Sequence, residues 1–155
     1  MIRLRPMTPA EFEAFSSASA VAFAADLVRA GLVDEASALG EARSRRDEVL
    51  PNGLDTPDHF FRAVLNERTG ARVGEVWYAF LPGGQAFVYW IGIDAAQRGR
   101  GYGTATLRWL EEEARRNGQR SIGLHVFGHN PRAHALYQRL GFRPTDLRMA
   151  KDLPG

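Results

Sequence analysis

The chain has 155 residues, the usual length of one folded domain with a sizeable apolar core. Hydrophobic residues make up 45% of it, which argues against an intrinsically disordered chain. The formal net charge is only +2 and Lys151 is the single lysine, so the basic residues give weak support for nucleic-acid binding. Cysteine is absent, which excludes disulfide bonds, thiolate metal sites and a cysteine nucleophile.

Targeting and membrane segments are not evident in the sequence. The N-terminal stretch MIRLRPMTPAEF has no long apolar run ahead of a cleavage-like site, so no signal peptide is predicted. The apolar stretch ASAVAFAADLV is too short and too interrupted to cross a membrane. We therefore expect a cytoplasmic protein with no membrane partner.

The first 50 residues are predicted to form one short strand and two helices. The alternating IRLR segment indicates the strand. The TPAE segment supplies an N-cap, a proline at the first helical position and the glutamate of a capping box, so a helix begins there and ends near Gly31. The serine-rich SSASA segment is expected to bend or break this helix. A second helix, rich in alanine and charge, is predicted from about Asp34 to Leu50.

The middle of the chain changes to strand-like runs rich in valine and aromatic residues. Three of them, HFFRAVLNE, ARVGEVWYAFL and AFVYWIGID, are expected to form an antiparallel meander. A helix from Thr104 to Asn117 then leads to the strand SIGLHVF, and a crossover of this kind makes the two flanking strands parallel. NPRAHALYQRLG predicts a short helix, and LRMAKDL predicts a final strand. We expect a single domain over residues 1–155, built on a mixed sheet.

The junction between the AFVYWIGID strand and the next helix reads RGRGYG, from Arg98 to Gly103. Unpaired amides at a helix N-terminus, made accessible by glycine, form a concave site for an anion. Arg98 and Arg100 add charge that suits a diphosphate. The alternative is a tight turn that simply requires glycine. A P-loop would need a lysine here, and a dinucleotide fingerprint would need the spacing Gly-x-Gly-x-x-Gly.

The pattern Arg98-x-x-Gly101-x-Gly103 resembles the acyl-CoA-binding motif of the GNAT superfamily of N-acetyltransferases. A second family segment, Asn-x-x-Ala-x-x-Leu-Tyr-x-x-x-Gly-Phe, is matched from Asn130 to Phe142, and the likeness is clear from about residue 72 to 151. The resemblance implies an α/β fold of three αβα layers, with a mixed, mostly antiparallel sheet of about seven strands. It also implies a splayed parallel pair that admits acetyl-CoA as cosubstrate. No cluster of ligating side chains suggests a metal.

The resemblance further implies which residues contact the coenzyme. The backbones of Ile91 and Ile93 would contact the pantetheine arm, with a nearby main-chain N–H polarising the thioester carbonyl. Asn130 would bond the same arm, although it also reads as a helix N-cap. The expected pyrophosphate-binding residues are Arg98, Gly99, Arg100, Gly101, Tyr102, Gly103 and Thr104.

Acetyl transfer to an amine also needs an acid and a base. Tyr137 lies at the position where the family often places a tyrosine that protonates the departing thiolate, and there it would also contact the coenzyme; the alternative is a core tyrosine. The candidate bases are Glu75, a carboxylate on a mostly apolar strand, and His125. Either could instead be a structural or solvent-facing residue. His129 and His134 are expected to be exposed.

The resulting expectation is an N-acetyltransferase in which a primary amine attacks acetyl-CoA directly in a ternary complex. The acceptor, a small molecule or a peptide amine, is not identified by the sequence. A non-catalytic acyl-CoA-binding or sensing domain stays open as the alternative, and no nucleic-acid partner is expected. A homodimer formed through the late strands or helices also stays open. The aromatic candidates for lining the acceptor pocket are Phe23, Trp77, Tyr78, Tyr89 and Trp90.

Overall fold

The computed structural model describes residues 1–155 and contains one five-stranded sheet in the order β1-β2-β3-β4-β5. Each pair of neighbouring strands from β1 to β4 is antiparallel, and β5 runs parallel to β4. This arrangement confirms the predicted meander and the predicted crossover. The strands are β1 (Ile2–Pro6), β2 (His59–Asn66), β3 (Arg72–Leu81), β4 (Gln85–Ile93) and β5 (Ser121–Leu124).

Four α-helices complete the fold, two before the meander and two after it. They are α1 (Pro9–Arg29), α2 (Glu35–Val49), α3 (Tyr102–Arg116) and α4 (Pro131–Arg139). Short 3₁₀ turns lie at Gly53–Asp55 and Ala95–Gln97. None of the helices combines the length and the apolar character needed to cross a membrane.

Helix α1 is continuous, so the predicted break at the serine-rich segment is wrong. Its N-terminus has the predicted capping box, in which Thr8 and Glu11 bond each other's backbone amides. An apolar stripe at helical spacing runs through the serines, and the Ser19 hydroxyl donates to the Ser16 carbonyl at 3.4 Å. Burial of that stripe outweighs the modest helix propensity of serine. The buried residues of α1 are Phe12, Phe15, Ala20, Ala24 and Leu27.

The two faces of the sheet carry different helices. Helices α3 and α4 cover one face, where Leu107 and Leu110 of α3 pack on Val76, Tyr78 and Val88. Helices α1 and α2 form the other layer. On that face Phe12 and Phe15 pack on Phe61, with Trp77 and Trp90 at the margin of the cluster. The three expected layers are therefore present.

The expectation of about seven strands is wrong, because the sheet has five. Strand β5 ends at Leu124, short of the predicted SIGLHVF run, because β4 and β5 diverge there and no ladder partner remains. The LRMAKDL segment forms no strand. Its alternation has strand character, but Leu147 and Met149 are exposed and meet no neighbouring strand that could complete the hydrogen bonds.

A bulge in β4 sets the direction of the side chains beside β5. Trp77 pairs with Trp90 and Tyr78 pairs with Val88, so Tyr89 is the extra residue of the ladder. A bulge lets two consecutive side chains face the same side of a sheet. Tyr89 and Trp90 accordingly both lie on the α1 face, where Tyr89 stacks on Trp77 and Trp90 contacts Phe15.

Candidate active site

The glycine turn between β4 and α3 presents a run of unpaired amides. No backbone N–H from Gly99 to Thr104 donates to another group of the protein, and the first bond of α3 from this region is Ala105 N–H to Gly101 O, at 3.0 Å. Gly99 and Gly101 have φ angles of 76° and 84°, which only glycine adopts without strain. The turn therefore presents six consecutive donors at the positive end of a helix dipole, an arrangement suited to phosphate.

The side chains of this turn have separate roles. The Arg98 Nε donates to the Ile93 carbonyl at 3.1 Å, which fixes the arginine across the turn while the residue as a whole stays exposed. Arg100 is also exposed. Tyr102 instead turns inward: it is 7% exposed and its hydroxyl accepts a 2.7 Å bond from Asn66 Nδ2. Tyr102 thus anchors the turn to the sheet through its side chain and offers a ligand only its amide.

Beyond the last paired residues, Val88 and Leu124, strand β4 continues to Ile93 with no partner on its β5 side. The Asp94 N–H donates to the Val73 carbonyl at 2.9 Å, so Asp94 faces β3. Backbone groups alternate along a strand, so those of Ile91 and Ile93 face away from β3. The two backbones expected to contact the pantetheine arm therefore lie on a free strand edge, next to the glycine turn.

Tyr137 lies on α4, and its ring packs on the α3-side core near Phe142. Burial raises the pKa of Tyr137, which keeps the hydroxyl protonated at neutral pH. That hydroxyl has no hydrogen-bond partner in the protein, yet it is not sealed from solvent. The preceding residue, Leu136, lies against Gly103, so α4 adjoins the glycine turn. At the start of α4 the Asn130 side chain accepts from the Ala133 amide at 3.4 Å, as an N-cap does.

Glu75 lies on the α1 face of β3 and both of its carboxylate oxygens are engaged. Oε1 accepts a 3.1 Å bond from the Trp90 indole, and Oε2 contacts Arg72 at 3.3 Å. Arg72 also contacts Glu11, which forms a bidentate pair with Arg5. The bond from Arg5, aided by the Thr8 amide, lowers the pKa of Glu11 to about 2. Arg5, Glu11, Arg72 and Glu75 therefore form a row of alternating charges, with Glu75 at the end nearest Trp90.

His125 is the first residue after β5 and is exposed. Ile122 and Leu124 pack toward α3, so strand alternation directs the side chain of His125 toward the α1 face. The His125 ring meets Phe127 edge-on, with 4.8 Å between centroids. This second candidate base therefore borders the divergence of β4 and β5 from the side opposite Glu75.

The end of α1 contacts the loop that follows β5. Asp26 Oδ1 lies 2.8 Å from His129 Nε2, and Phe23 packs on Phe127. The expectation that His129 is exposed is therefore wrong, because α1 extends far enough to cover it. His134 is exposed as expected. A groove of about 410 Å³ lies between α1 and the end of β4, and its lining includes Phe15, Ala18, Ala22, Glu75 and Trp90.

Two features of this region were not found from the sequence. Tyr78 was expected to line the acceptor pocket, but it is 1% exposed in the core beneath α3, because side chains alternate along β3 and Trp77 takes the α1 face. His59 is not among the residues predicted from the sequence, yet its Nδ1 accepts a 3.0 Å bond from the Trp77 indole on the α1 face. Residues 59 and 77 lie on different strands, so no local sequence pattern signals this pair.

Comparison with known proteins agrees with this geometry. The chain is 38% identical over 153 residues to YdgE of Bacillus subtilis (strain 168), named an uncharacterized N-acetyltransferase, with 97% of each chain covered. It is 36% identical over 158 residues to YycN of the same organism, which carries the same description, with 98% of this chain and 99% of YycN covered. The crystal structure of YycN superimposes with a TM-score of 0.94 at 33% identity, covering 100% of both chains. The profile described as "Acetyltransferase (GNAT) family" matches residues 29–142, and the chain belongs to this family of acetyltransferases.

Proposed function

We propose that this chain transfers an acetyl group from acetyl-CoA to a primary amine of a small molecule or peptide, by direct attack within a ternary complex. The observation that carries the proposal is the run of six unpaired amides from Gly99 to Thr104, placed beside a strand edge that becomes free after Val88. We treat residues 1–155 as one catalytic domain, because α1 and α2 pack on the same sheet that carries this turn.

The residues present fit the coenzyme. The amides from Gly99 to Thr104, with Arg98 and Arg100, would hold the diphosphate. The backbone of Ile91 and the N–H of Ile93 would hold the pantetheine arm, since the Ile93 carbonyl already accepts from Arg98. Asn130 and Tyr137 would border the arm from the α4 side. When bound, acetyl-CoA supplies a thioester, whose acetyl group forms an amide with the amine while the carbon–sulfur bond breaks.

Proton transfer in this proposal uses groups on both sides of the gap. Tyr137 would donate its phenolic proton to the departing sulfur, which is consistent with its raised pKa and open hydroxyl. His125 or Glu75 would accept the proton that the amine loses. Glu75 would use a lone pair left free by Arg72 and Trp90, because each carboxylate oxygen can accept two hydrogen bonds.

The test has two stages. Calorimetry should show micromolar binding of acetyl-CoA, and absence of binding would refute the coenzyme assignment. Release of free CoA should then be followed by a thiol reagent while a set of amines is screened, with product mass confirming an added acetyl group. Binding without release of CoA for any amine would favour the non-catalytic acyl-CoA-binding domain instead.

A further inference from the structure

Four aromatic rings form a continuous surface on the α1 face of the sheet, which we call the aromatic platform: His59, Trp77, Phe87 and Tyr89. Trp77 and Tyr89 are stacked with 4.5 Å between centroids and 14° between planes. His59 lies 5.4 Å from Tyr89, and Phe87 meets Tyr89 at 4.8 Å. The platform therefore crosses three strands, from the start of β2 to the bulge in β4.

The platform lies where acetyl transfer would occur. Tyr89 directly follows Val88, the last residue of β4 that pairs with β5, so its ring lies at the closed end of the strand gap. Trp77 belongs to the margin of the cluster under α1, whereas Phe87 and Tyr89 pack on no buried cluster and remain partly exposed. Gly123 of β5 pairs with Phe87, and the side chain of Gln85 lies over this glycine. Because Phe87 and Tyr89 nevertheless remain partly exposed, a flat apolar group can reach their rings.

Trp77 fixes the proton position on His59. An indole N–H can only donate, so the 3.0 Å contact requires His59 Nδ1 to accept. A neutral imidazole that accepts at Nδ1 carries its proton on Nε2. Burial lowers the pKa of His59, which further favours this neutral form. His59 Nε2 has no partner in the protein and is not sealed from solvent, so it presents a free N–H donor.

From this geometry we propose that His59 determines acceptor specificity, by donating a hydrogen bond from Nε2 to an oxygen atom of the acceptor. The acceptor is then a small amine that carries a hydroxyl, carbonyl or carboxylate oxygen, and whose flat apolar body lies on Tyr89 and Phe87. This inference rests on the proposed function and specifies its substrate class. Trp77 acts as a positioning residue, because it holds the imidazole in the donor tautomer.

The experiment compares two amines of similar size, phenylalaninol and 2-phenylethylamine, which differ in the hydroxymethyl group beside the amine. The quantity measured is the ratio of their kcat/KM values with saturating acetyl-CoA. Differences in amine pKa cancel when this ratio is compared between proteins. His59→Phe keeps a ring and removes the donor, and His59→Gln restores an N–H donor. Trp77→Phe removes the indole N–H that fixes the tautomer of His59. His134→Phe, on the exposed side of α4, is the matched control.

We expect the unmodified protein and the His134→Phe variant to prefer phenylalaninol. The preference should fall about tenfold in His59→Phe, as expected for loss of one hydrogen bond, and recover in part in His59→Gln. Trp77→Phe should give an intermediate preference. Nitrogen-15 NMR of the histidine rings should show His59 protonated at Nε2 in the unmodified protein and a mixture of tautomers in Trp77→Phe. Thermal unfolding of each variant establishes that it is folded.

Three outcomes would overturn the inference. They are protonation of His59 at Nδ1, equal use of the two amines by the unmodified protein, and an unchanged preference in a folded His59→Phe variant. In the last two cases the proposed acetyl transfer still stands, because CoA is released and product forms. Failure of every amine in the wider screen, despite acetyl-CoA binding, would instead refute the proposed function together with this inference.

Discussion

The hydroxyls of Tyr78 and Tyr137 both lack a protein hydrogen bond, and their surroundings explain why only that of Tyr137 is suited to catalysis. The Tyr78 hydroxyl is sealed in the core, where burial raises its pKa to about 12, and Arg62 lies near it without hydrogen-bond geometry. The Tyr137 hydroxyl is unpaired but open, on the helix that adjoins the glycine turn. A proton donor must reach its substrate, so accessibility distinguishes these two residues more clearly than acidity does.

Replacing Tyr137 with Phe should therefore slow turnover and leave coenzyme binding nearly intact. We expect kcat to fall about a hundredfold or more, the usual contribution of a general acid, with the calorimetric Kd for acetyl-CoA changed by less than about threefold. Tyr78→Phe is the matched control, since it removes an equally unpaired hydroxyl away from the gap and should keep kcat. A parallel loss of binding and kcat in Tyr137→Phe would contradict the acid role.

Glu11 contributes stability that depends on pH. Its folded pKa of about 2 lies below the value of 4.5 for a free glutamate, so the folded state favours the ionised form. This contribution is complete above about pH 4.5 and is lost as the pH falls toward 2. Glu11→Gln keeps the capping box but removes the pairs with Arg5 and Arg72. The side chain is 20% exposed, so we expect a loss of about 1 kcal/mol at pH 7.

Urea unfolding between pH 3 and pH 7 measures this effect. The Glu11→Gln variant should lose less stability on acidification than the unmodified protein, because one ionisation no longer contributes. Glu13→Gln is the control, since Glu13 lies on the same helix, is exposed and forms no ion pair. Identical pH profiles for the Glu11→Gln variant and the unmodified protein would show that the pairs with Arg5 and Arg72 add nothing.

At the scale of elements, substitutions at two glycines can separate the effect of backbone strain on stability from an effect on ligand binding. Gly101 and Gly70 have φ angles of 84° and 73°, and a Cβ at either would meet no atom closer than 3.7 Å. Alanine at either position should therefore lower the free energy of unfolding by a similar amount, about 1–2 kcal/mol, which is the cost of the left-handed backbone region for a residue with a Cβ. Gly101 belongs to the proposed phosphate site, whereas Gly70 lies in the β2–β3 turn.

Gly101→Ala should weaken acetyl-CoA binding at least about tenfold, because relaxation of the strained turn redirects the amides that follow it. Gly70→Ala should lose similar stability and bind acetyl-CoA normally. Calorimetry gives the two affinities, and urea unfolding gives the two free energies of unfolding. Equal affinities for the two variants would mean that the turn needs glycine only for its own geometry.

The sequence predicts those elements whose determinants are local. The capping residues Thr8 and Asn130 and the apolar spacing of the helices lie within a few residues of the structure they set, and the helix limits agree closely. The same holds for the unpaired amides after Arg98. The LRMAKDL segment fails for the complementary reason, since a strand exists only beside a partner and alternation alone cannot supply one.

The acceptor side of the site could not be predicted in the same way. Its geometry depends on which residues face each other across strands, and a one-residue bulge at Tyr89 changes that register. The bond from Trp77 to His59 joins two strands, as does the bond from Trp90 to Glu75. Glu75 stands out in the sequence as a carboxylate on an apolar strand, but no local pattern identifies Arg72 and Trp90 as its partners.

At the scale of the whole molecule, helix α1 joins the N-terminal part of the chain to the region carrying the family motifs. Its first half packs on Phe61, and its second half reaches the loop after β5 through the Asp26–His129 and Phe23–Phe127 contacts. These contacts lie more than 100 residues apart in sequence. Disturbing them should lower the stability of the fold without touching the glycine turn, which separates structural stability from ligand affinity.

Thermal unfolding with and without acetyl-CoA tests this separation. A ligand that binds only the folded state at 100 times its Kd adds about 2.7 kcal/mol, which for 155 residues raises Tm by about 5–11 °C. Asp26→Asn should lower Tm in the absence of ligand and keep the same ligand-induced rise, whereas a tenfold weaker Gly101→Ala variant should lose about half of that rise at an equal ligand concentration. If Asp26→Asn also abolished the rise, the α1 contact would be part of the coenzyme site. If Gly101→Ala kept the full rise, the coenzyme would not be held by the amides of this turn.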